Sequence, residues 1–390
     1  SYTFTITALN ANGISDPVTT EAMIPTASWK ASVIDSASDA KLVASTQFRG
    51  QPLIAYISSR TKTLRVATYL NGVWKKVVVD GLGGTPGRTT HKLGGTLSLC
   101  TSGVGVAQKL NIVYGDVDDN DLRLASYDGV NYAFEVVDGN GPSVQPYDQP
   151  NRIRTASDVS VSSACVASSS SLQVFYRDES QGILLGATKK NNRWSYELID
   201  GDKNSMGHTT GDVAFHLKAL IDGSTTYLIY DSVISVNIRR DAILGEIRIA
   251  KRIGNSGWNY ESIDSPGNGI SVLGYDTLIY KTGSRMTTAW LGANGTSLPN
   301  PNQIRLNTGK ITSIFTPKYG MPNSGLSIYL NYLAFNCQMR LCVLDTNSSK
   351  ISLASNWQSD EPIQSGWITI NRMPYLVAGL NNQLVMLKVI

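Results

Sequence analysis

The chain has 390 residues, of which 16% are charged and 42% hydrophobic, and its formal net charge is +4. That hydrophobic share fills a core and excludes a disordered chain, while the length exceeds one ordinary domain of about 100–200 residues unless the fold is repetitive. A small positive charge scattered over such a length gives no basic surface for nucleic acid, and no apolar run approaches the roughly 18 residues of a membrane span.

From the N-terminus, Tyr2-Thr-Phe4-Thr-Ile6-Thr-Ala8 alternates apolar and polar residues, turns at Gly13 and resumes as a second strand from Val18 to Met23. The segment resembles the final hairpin of a fibronectin type III domain, with Tyr2 at the tyrosine-corner position. The resemblance implies that residues 1–26 are the C-terminal hairpin of such a domain. An isolated hairpin is marginal in water, so upstream strands or support from the rest of the chain are expected. The chain opens inside a strand, not on a signal peptide, so an export signal is expected to have been removed and other domains to precede it.

From Trp29 onward one motif recurs: an aromatic residue followed six positions later by Asp, with β-branched residues between. It reads Trp29–Asp35, Trp74–Asp80, Tyr132–Asp138, Trp194–Asp200 and Trp258–Asp264, at intervals of 45, 58, 62 and 64 residues. Within the repeats Tyr56, Tyr114 and Tyr176 stand eleven residues before Ala67, Ala125 and Ala187, which close segments of the Leu-Arg-x-Ala type. The fourth copy, Tyr230 to Ala250, spans twenty residues, so nine are inserted. Each unit reads as four short strands separated by Gly, Asn, Asp and Ser turns, and no segment sustains a 3.6-residue apolar period. A four-stranded meander repeated every 45 to 65 residues is the blade of a β-propeller.

Units run roughly over 40–80, 91–138, 156–200, 211–264 and 269–316; the fifth has Trp290 at the Tyr position and Ile304-Arg305-Leu306-Asn307 as its third strand. A sixth holds runs at Leu326 to Leu333, Leu341 to Leu344 and Ile351 to Ala354. The C-terminal segment supplies only three strands, and the orphan Trp29–Asp35 is expected to complete that sheet. Joining the termini in one blade leaves no open edge. The expectation is an all-β, seven-bladed propeller of four-stranded antiparallel blades over residues 27–390. Its blades resemble those of secreted bacterial proteins with a Tyr-x-Asp, Leu-x-x-Ala, Trp and Val-Asp-Gly pattern. That resemblance implies an exported, modular surface protein, extracellular or periplasmic, and implies no reaction.

In propellers the loops entering each blade share a face with the turns between second and third strands. That face collects Arg88, His91, Asp116, Tyr147, Asp148, Arg152, Asp178, His208, Asp231, Arg239 and Arg240, the last two within the insertion Val233 to Ala242. Acids, bases and aromatics converging at a funnel mouth suit a polar ligand. Asp116, Asp118 and Asn120 place oxygens at alternate positions, as the first half of a calcium loop does. Asp121 in place of the sixth-position Gly and Tyr127 in place of the twelfth-position Glu fit a plain charged turn instead. Cys100 with Cys165 and Cys337 with Cys342 are the disulfide candidates, buried thiols being the alternative. No Gly-x-Ser-x-Gly, His-Glu-x-x-His or sialidase-type Ser-x-Asp-x-Gly-x-Thr-Trp pattern occurs, and no cofactor is expected. The expectation is non-catalytic recognition of a glycan or protein on a cell or matrix surface; the alternative is a polysaccharide hydrolase or lyase using carboxylates, His91 or His208.

Overall fold

The computed structural model describes residues 5–7, 9–10, 13–15, 18–19, 29–141, 155–202, 207–209, 212–236, 242–264, 276–282, 285–292, 303–307, 312–315, 325–337, 340–355 and 363–389. Seven four-stranded antiparallel sheets stand in a ring. The first blade comprises Ala40–Phe48, Gln51–Ser58, Leu64–Leu70 and Val73–Asp80. The second comprises Leu93–Ser102, Lys109–Asp116, Asp121–Tyr127 and Tyr132–Asp138, and the third Ser163–Ala167, Leu172–Asp178, Ile183–Lys190 and Arg193–Asp200. The fourth to sixth blades follow from Lys218–Asp222, Thr277–Thr282 and Ser327–Tyr329 as inner strands. The seventh takes Ser365–Ile370, Met373–Leu380 and Gln383–Val389 from the C-terminus and Trp29–Asp35 from the N-terminal side as its outer strand. In that closure Val389 lies opposite Trp29 and Leu384 opposite Asp35.

Packing explains why these short strands hold. Each buries its alternate residues against the next sheet, so among the described residues an apolar cluster lies at each junction between neighbouring blades. Leu53, Ala55 and Leu64 of the first blade, for example, meet Leu110, Ile112 and Tyr114 of the second.

The recurring Asp and Tyr join these junctions with polar bonds. Tyr56 Oη donates to Asp35 at 2.8 Å, Tyr114 to Asp80 at 2.6 Å, Tyr176 to Asp138 at 2.5 Å and Tyr230 to Asp200 at 2.6 Å. Trp290 Nε1 makes the same bond to Asp264 at 2.5 Å. Each Asp ends the outer strand of one blade, and its partner sits on the second strand of the next. The other carboxylate oxygen accepts amides of the loop that follows: Gly81 and Thr89 on Asp80, Gly139 and Thr155 on Asp138, Gly201 and Thr209 on Asp200. Gly81, Gly139 and Gly201 have φ of +99°, +109° and +104°, which accounts for the Asp-Gly pair at this corner. The repeated Asp that ends the outer strand is therefore an inter-blade latch, buried at Asp35, Asp80, Asp138 and Asp200.

On the outer rim Trp194 Nε1 and Lys189 Nζ both donate to Glu135 of the preceding blade, and Trp258 with Arg252 repeats the pattern on Glu197. Both disulfides are present. Cys100–Cys165 ties the inner strands of the second and third blades, and Cys337–Cys342 crosses one hairpin of the sixth.

The run Leu326 to Leu333 contains a hairpin turn: Leu330 adopts φ +53° and turns the chain between Ser327–Tyr329 and Tyr332–Cys337. In the fourth blade the described ends of the insertion lengthen two strands, Thr225–Val236 and Ala242–Ile253, which pair out to Val236 opposite Ala242; residues 237–241 lie outside the described residues. At the N-terminus, Leu9 pairs with Ile14, Asn10 with Gly13, and Thr5 with Thr19, all antiparallel. Tyr2 and Met23 lie outside the described residues.

Candidate functional site

The loop-bearing face is built from the segments that enter each inner strand and from the turns between second and third strands. The last residue of the second strand caps that turn. Asp178 Oδ1 accepts the Gln181 amide at 3.0 Å, Asp116 Oδ1 the Asp119 amide at 3.4 Å, and in the first blade Ser58 Oγ accepts the Thr61 amide at 3.3 Å. Asp116, Asp178 and Asp231 have no exposed surface. The sequence places them on this face; the fold directs their carboxylates inward, into local bonds.

The three histidines differ. His208 is pinned: Nδ1 meets Asp202, Nε2 lies 2.8 Å from Tyr260 Oη, and its ring stands edge-on to Tyr260. His216 is held by Asp231, which accepts its amide at 2.9 Å and faces Nδ1 at 2.8 Å. Burial would lower the His216 imidazole, yet the Asp231 charge raises it above the ordinary value. His91 is 39% exposed and its Nδ1 lies 3.1 Å from both Asp116 Oδ2 and Asp119 Oδ2. Its slight burial would lower the imidazole, but Asp116, then Asp119 and Asp118, raise it.

Of the oxygens read as a calcium half-loop, only Asp116 joins this group. Asp118 accepts the Lys92 amide at 2.9 Å, and Asn120 is a turn residue with φ +62° whose carbonyl accepts the Val159 amide at 3.1 Å. Burial, then Asp119 and Asp116, push the Asp121 carboxyl up to about 6. Arg88 donates to the Val78 carbonyl at 3.2 Å. Tyr147, Asp148, Arg152, Arg239 and Arg240 lie outside the described residues.

The feature that residue-by-residue reading missed is the axis. All seven inner strands line one cavity of about 630 Å³, in the half of the ring nearest the loop-bearing face. Its wall carries hydroxyls that also bond neighbouring blades: Thr96 with Ser163 at 2.9 Å, Ser327 with Ser365 at 2.7 Å, and Ser45 with the Trp367 carbonyl at 2.9 Å. Phe215, Lys218, Tyr329 and Gln364 add aromatic, cationic and amide groups. Small residues near the start of several inner strands, Gly94, Gly95, Thr96, Ser163, Ser327, Ser365 and Gly366 among them, were the available signal, since only small side chains leave an axis open.

No family model matches the chain, and no curated protein matches it. Among solved structures, the extracellular domain of BT4673 from B. thetaiotaomicron aligns with a TM-score of 0.50 at 11% identity, over 92% of this chain and 39% of that one. The WD40 domain of SCAP from fission yeast aligns at 0.48 and 8% identity, covering 93% and 98% of the two chains. The six-bladed fucose-recognising lectin of the fungus Aleuria aurantia aligns at 0.47 and 14% identity, covering 82% and 96%. What the chain shares with the BT4673 domain is the fold.

Proposed function

We propose that this chain is a non-catalytic recognition module that binds a glycan at the loop-bearing mouth of the axial cavity. The observation that carries the reading is the lining of that cavity. Hydroxyls, an amide and aromatic rings, with Lys218, His216 and Asp276 among them, surround about 630 Å³ and suit a polyhydroxylated ligand, and the volume falls within the range of small-ligand pockets. The hydrolase alternative needs two free carboxylates some 5–9 Å apart. The acids it would draw on, Asp116 and Asp178, are fully buried and cap turns, and His208 is held between Asp202 and Tyr260. A protein ligand on the same face is the other recognition reading. The two disulfides fit an exported protein, since such bonds persist in oxidising compartments. The described N-terminal pairs, Thr5 with Thr19 and Leu9 with Ile14, support reading this segment as a fibronectin type III-like hairpin.

A glycan array probed with the full chain, followed by calorimetry on the best hit, tests the reading. The double variant Lys218→Ala, Gln364→Ala is expected to weaken binding by at least about tenfold, as for groups that touch ligand directly. Mass spectrometry of the incubated glycan is expected to find it intact. A blank array, unchanged affinity in the double variant or cleavage of the glycan would each overturn the proposal.

A further inference from the structure

The corner between the second strand and its turn has the same form in the first three blades, and its chemistry differs in one of them. The corner is marked by an amide-to-carbonyl bond that recurs as Ser59 to Asp39, Val117 to Lys92 and Glu179 to Asp158. Counting from that bond, the capping position holds Ser58, Asp116 and Asp178, and the facing position on the incoming loop holds Ser38, His91 and Ser157. The first and third blades thus close the corner with hydroxyls, or with one carboxylate. In the second blade an imidazole and a further carboxylate, Asp119, are added to a buried Asp. Neither addition is required to form the turn, because the other blades form it without them.

We propose that His91, Asp116 and Asp119 form a binding site for a divalent first-row transition ion, with zinc as its probe. The donor atoms, Nδ1 and two Oδ2, lie within 4.8 Å of one another, and the nitrogen is 3.1 Å from each oxygen. Metal bonds of about 2.0–2.2 Å in tetrahedral geometry place neighbouring donors roughly 3.3–3.5 Å apart, so a small adjustment admits the ion. Asp116 is a rigid, buried anchor, whereas Asp119 and His91 are partly exposed. That leaves a fourth position open to water or to a ligand on the face.

Donor chemistry selects the ion. One imidazole with two carboxylates suits zinc and its neighbours, while calcium takes six to eight oxygens and would need further ones from Asp118, whose Oδ2 already accepts the Lys92 amide, and from Asn120, whose carbonyl accepts the Val159 amide. The nearest arginine, Arg123, is 4.0 Å from Asp116 Oδ2 and already engages Asp80 and the Gly87 carbonyl. Bound metal would clip the loop carrying His91 to the turn carrying Asp119. This site is independent of the axial cavity and of the glycan reading.

The test uses the full chain, stripped with chelator and titrated with zinc by calorimetry, with cobalt absorption as a second readout of the donor set. One zinc per chain is expected, with a thermal shift on binding. Asp119→Asn is expected to weaken zinc by about tenfold or more, and His91→Ala to abolish this binding along with the visible cobalt band. Both substitutions are at exposed positions, so their far-ultraviolet dichroism should match the parent; Asp116, which caps the turn, is left in place. Zinc binding that is absent, that survives both substitutions, or that is outcompeted by equimolar calcium would overturn the assignment.

Discussion

Asp178 shows how one position carries both a structural duty and a cost. Its Oδ1 caps a turn, while Oδ2 is buried with no hydrogen-bond partner. Burial, reinforced by Asp138 and Glu179, pushes the carboxyl from an ordinary 3.8 up to about 7. Because the folded pKa lies above the unfolded one, the native state holds a proton that the unfolded chain has released between those values. Stability therefore falls as pH rises through that window, and the cost is absent below it. Asparagine keeps the capping oxygen and carries no charge. Asp178→Asn is expected to gain about 1–3 kcal/mol at pH 8 and almost nothing at pH 4. Urea unfolding at the two pH values reads the difference, and equal effects at both would refute the assignment. Asp35 has the opposite sign: burial alone would raise it, yet bonds from Tyr56 and the Ala37 amide, with Lys76 and Arg65 nearby, hold it below the ordinary value. Its contribution is lost as the solution is acidified.

At the scale of strands and hairpins, the two disulfides do different work. Cys100–Cys165 closes a 65-residue separation and joins two blades, whereas Cys337–Cys342 closes 5 residues within one hairpin. Loop-closure entropy gives about 4 kcal/mol for the first and about 2 kcal/mol for the second. Replacing each pair by alanine should lower the midpoint of chemical denaturation roughly in that order. A larger loss from the Cys337, Cys342 pair would show that local packing, not chain closure, sets their contribution. The fourth-blade insertion is also an element-scale feature: its described residues extend an existing antiparallel pair, with register shifts beside Val233, because added opposed residues find backbone partners.

For the whole molecule, the decisive contact is between strands 323 or more residues apart in sequence. Trp29 Nε1 reaches Ser352 Oγ in the sixth blade, and Trp29–Asp35 pairs with the C-terminal strand. Without that strand the edge of Gln383–Val389 is open and the Tyr56 latch loses its carboxylate. Deleting residues 1–36 should therefore lower the thermal midpoint sharply and drive association, seen by scanning calorimetry and size exclusion. A synthetic peptide spanning residues 28–37 should restore much of it. A monomeric deletion variant with an unchanged midpoint would contradict the closure.

The repeat count, the strand order within blades and the closing role of Trp29–Asp35 were all legible in the sequence, because each blade must solve the same packing problem and reuses the same residues to do so. Periodicity reports which residues share a face, and the same Asp latch recurs in five outer strands at intervals of 45 to 64 residues. What each polar loop residue faces is not periodic. Asp116, Asp178 and Asp231 look alike in the sequence, yet one faces a histidine and a second carboxylate, one leaves an oxygen unpaired and one grips His216. Those differences arise where the loop entering a blade folds over the second strand and turn of that same blade, a contact that strand periodicity does not encode. The axial cavity likewise belongs to no single blade. It exists because seven sheets, and not another number, surround the axis, and only the assembled ring sets its width.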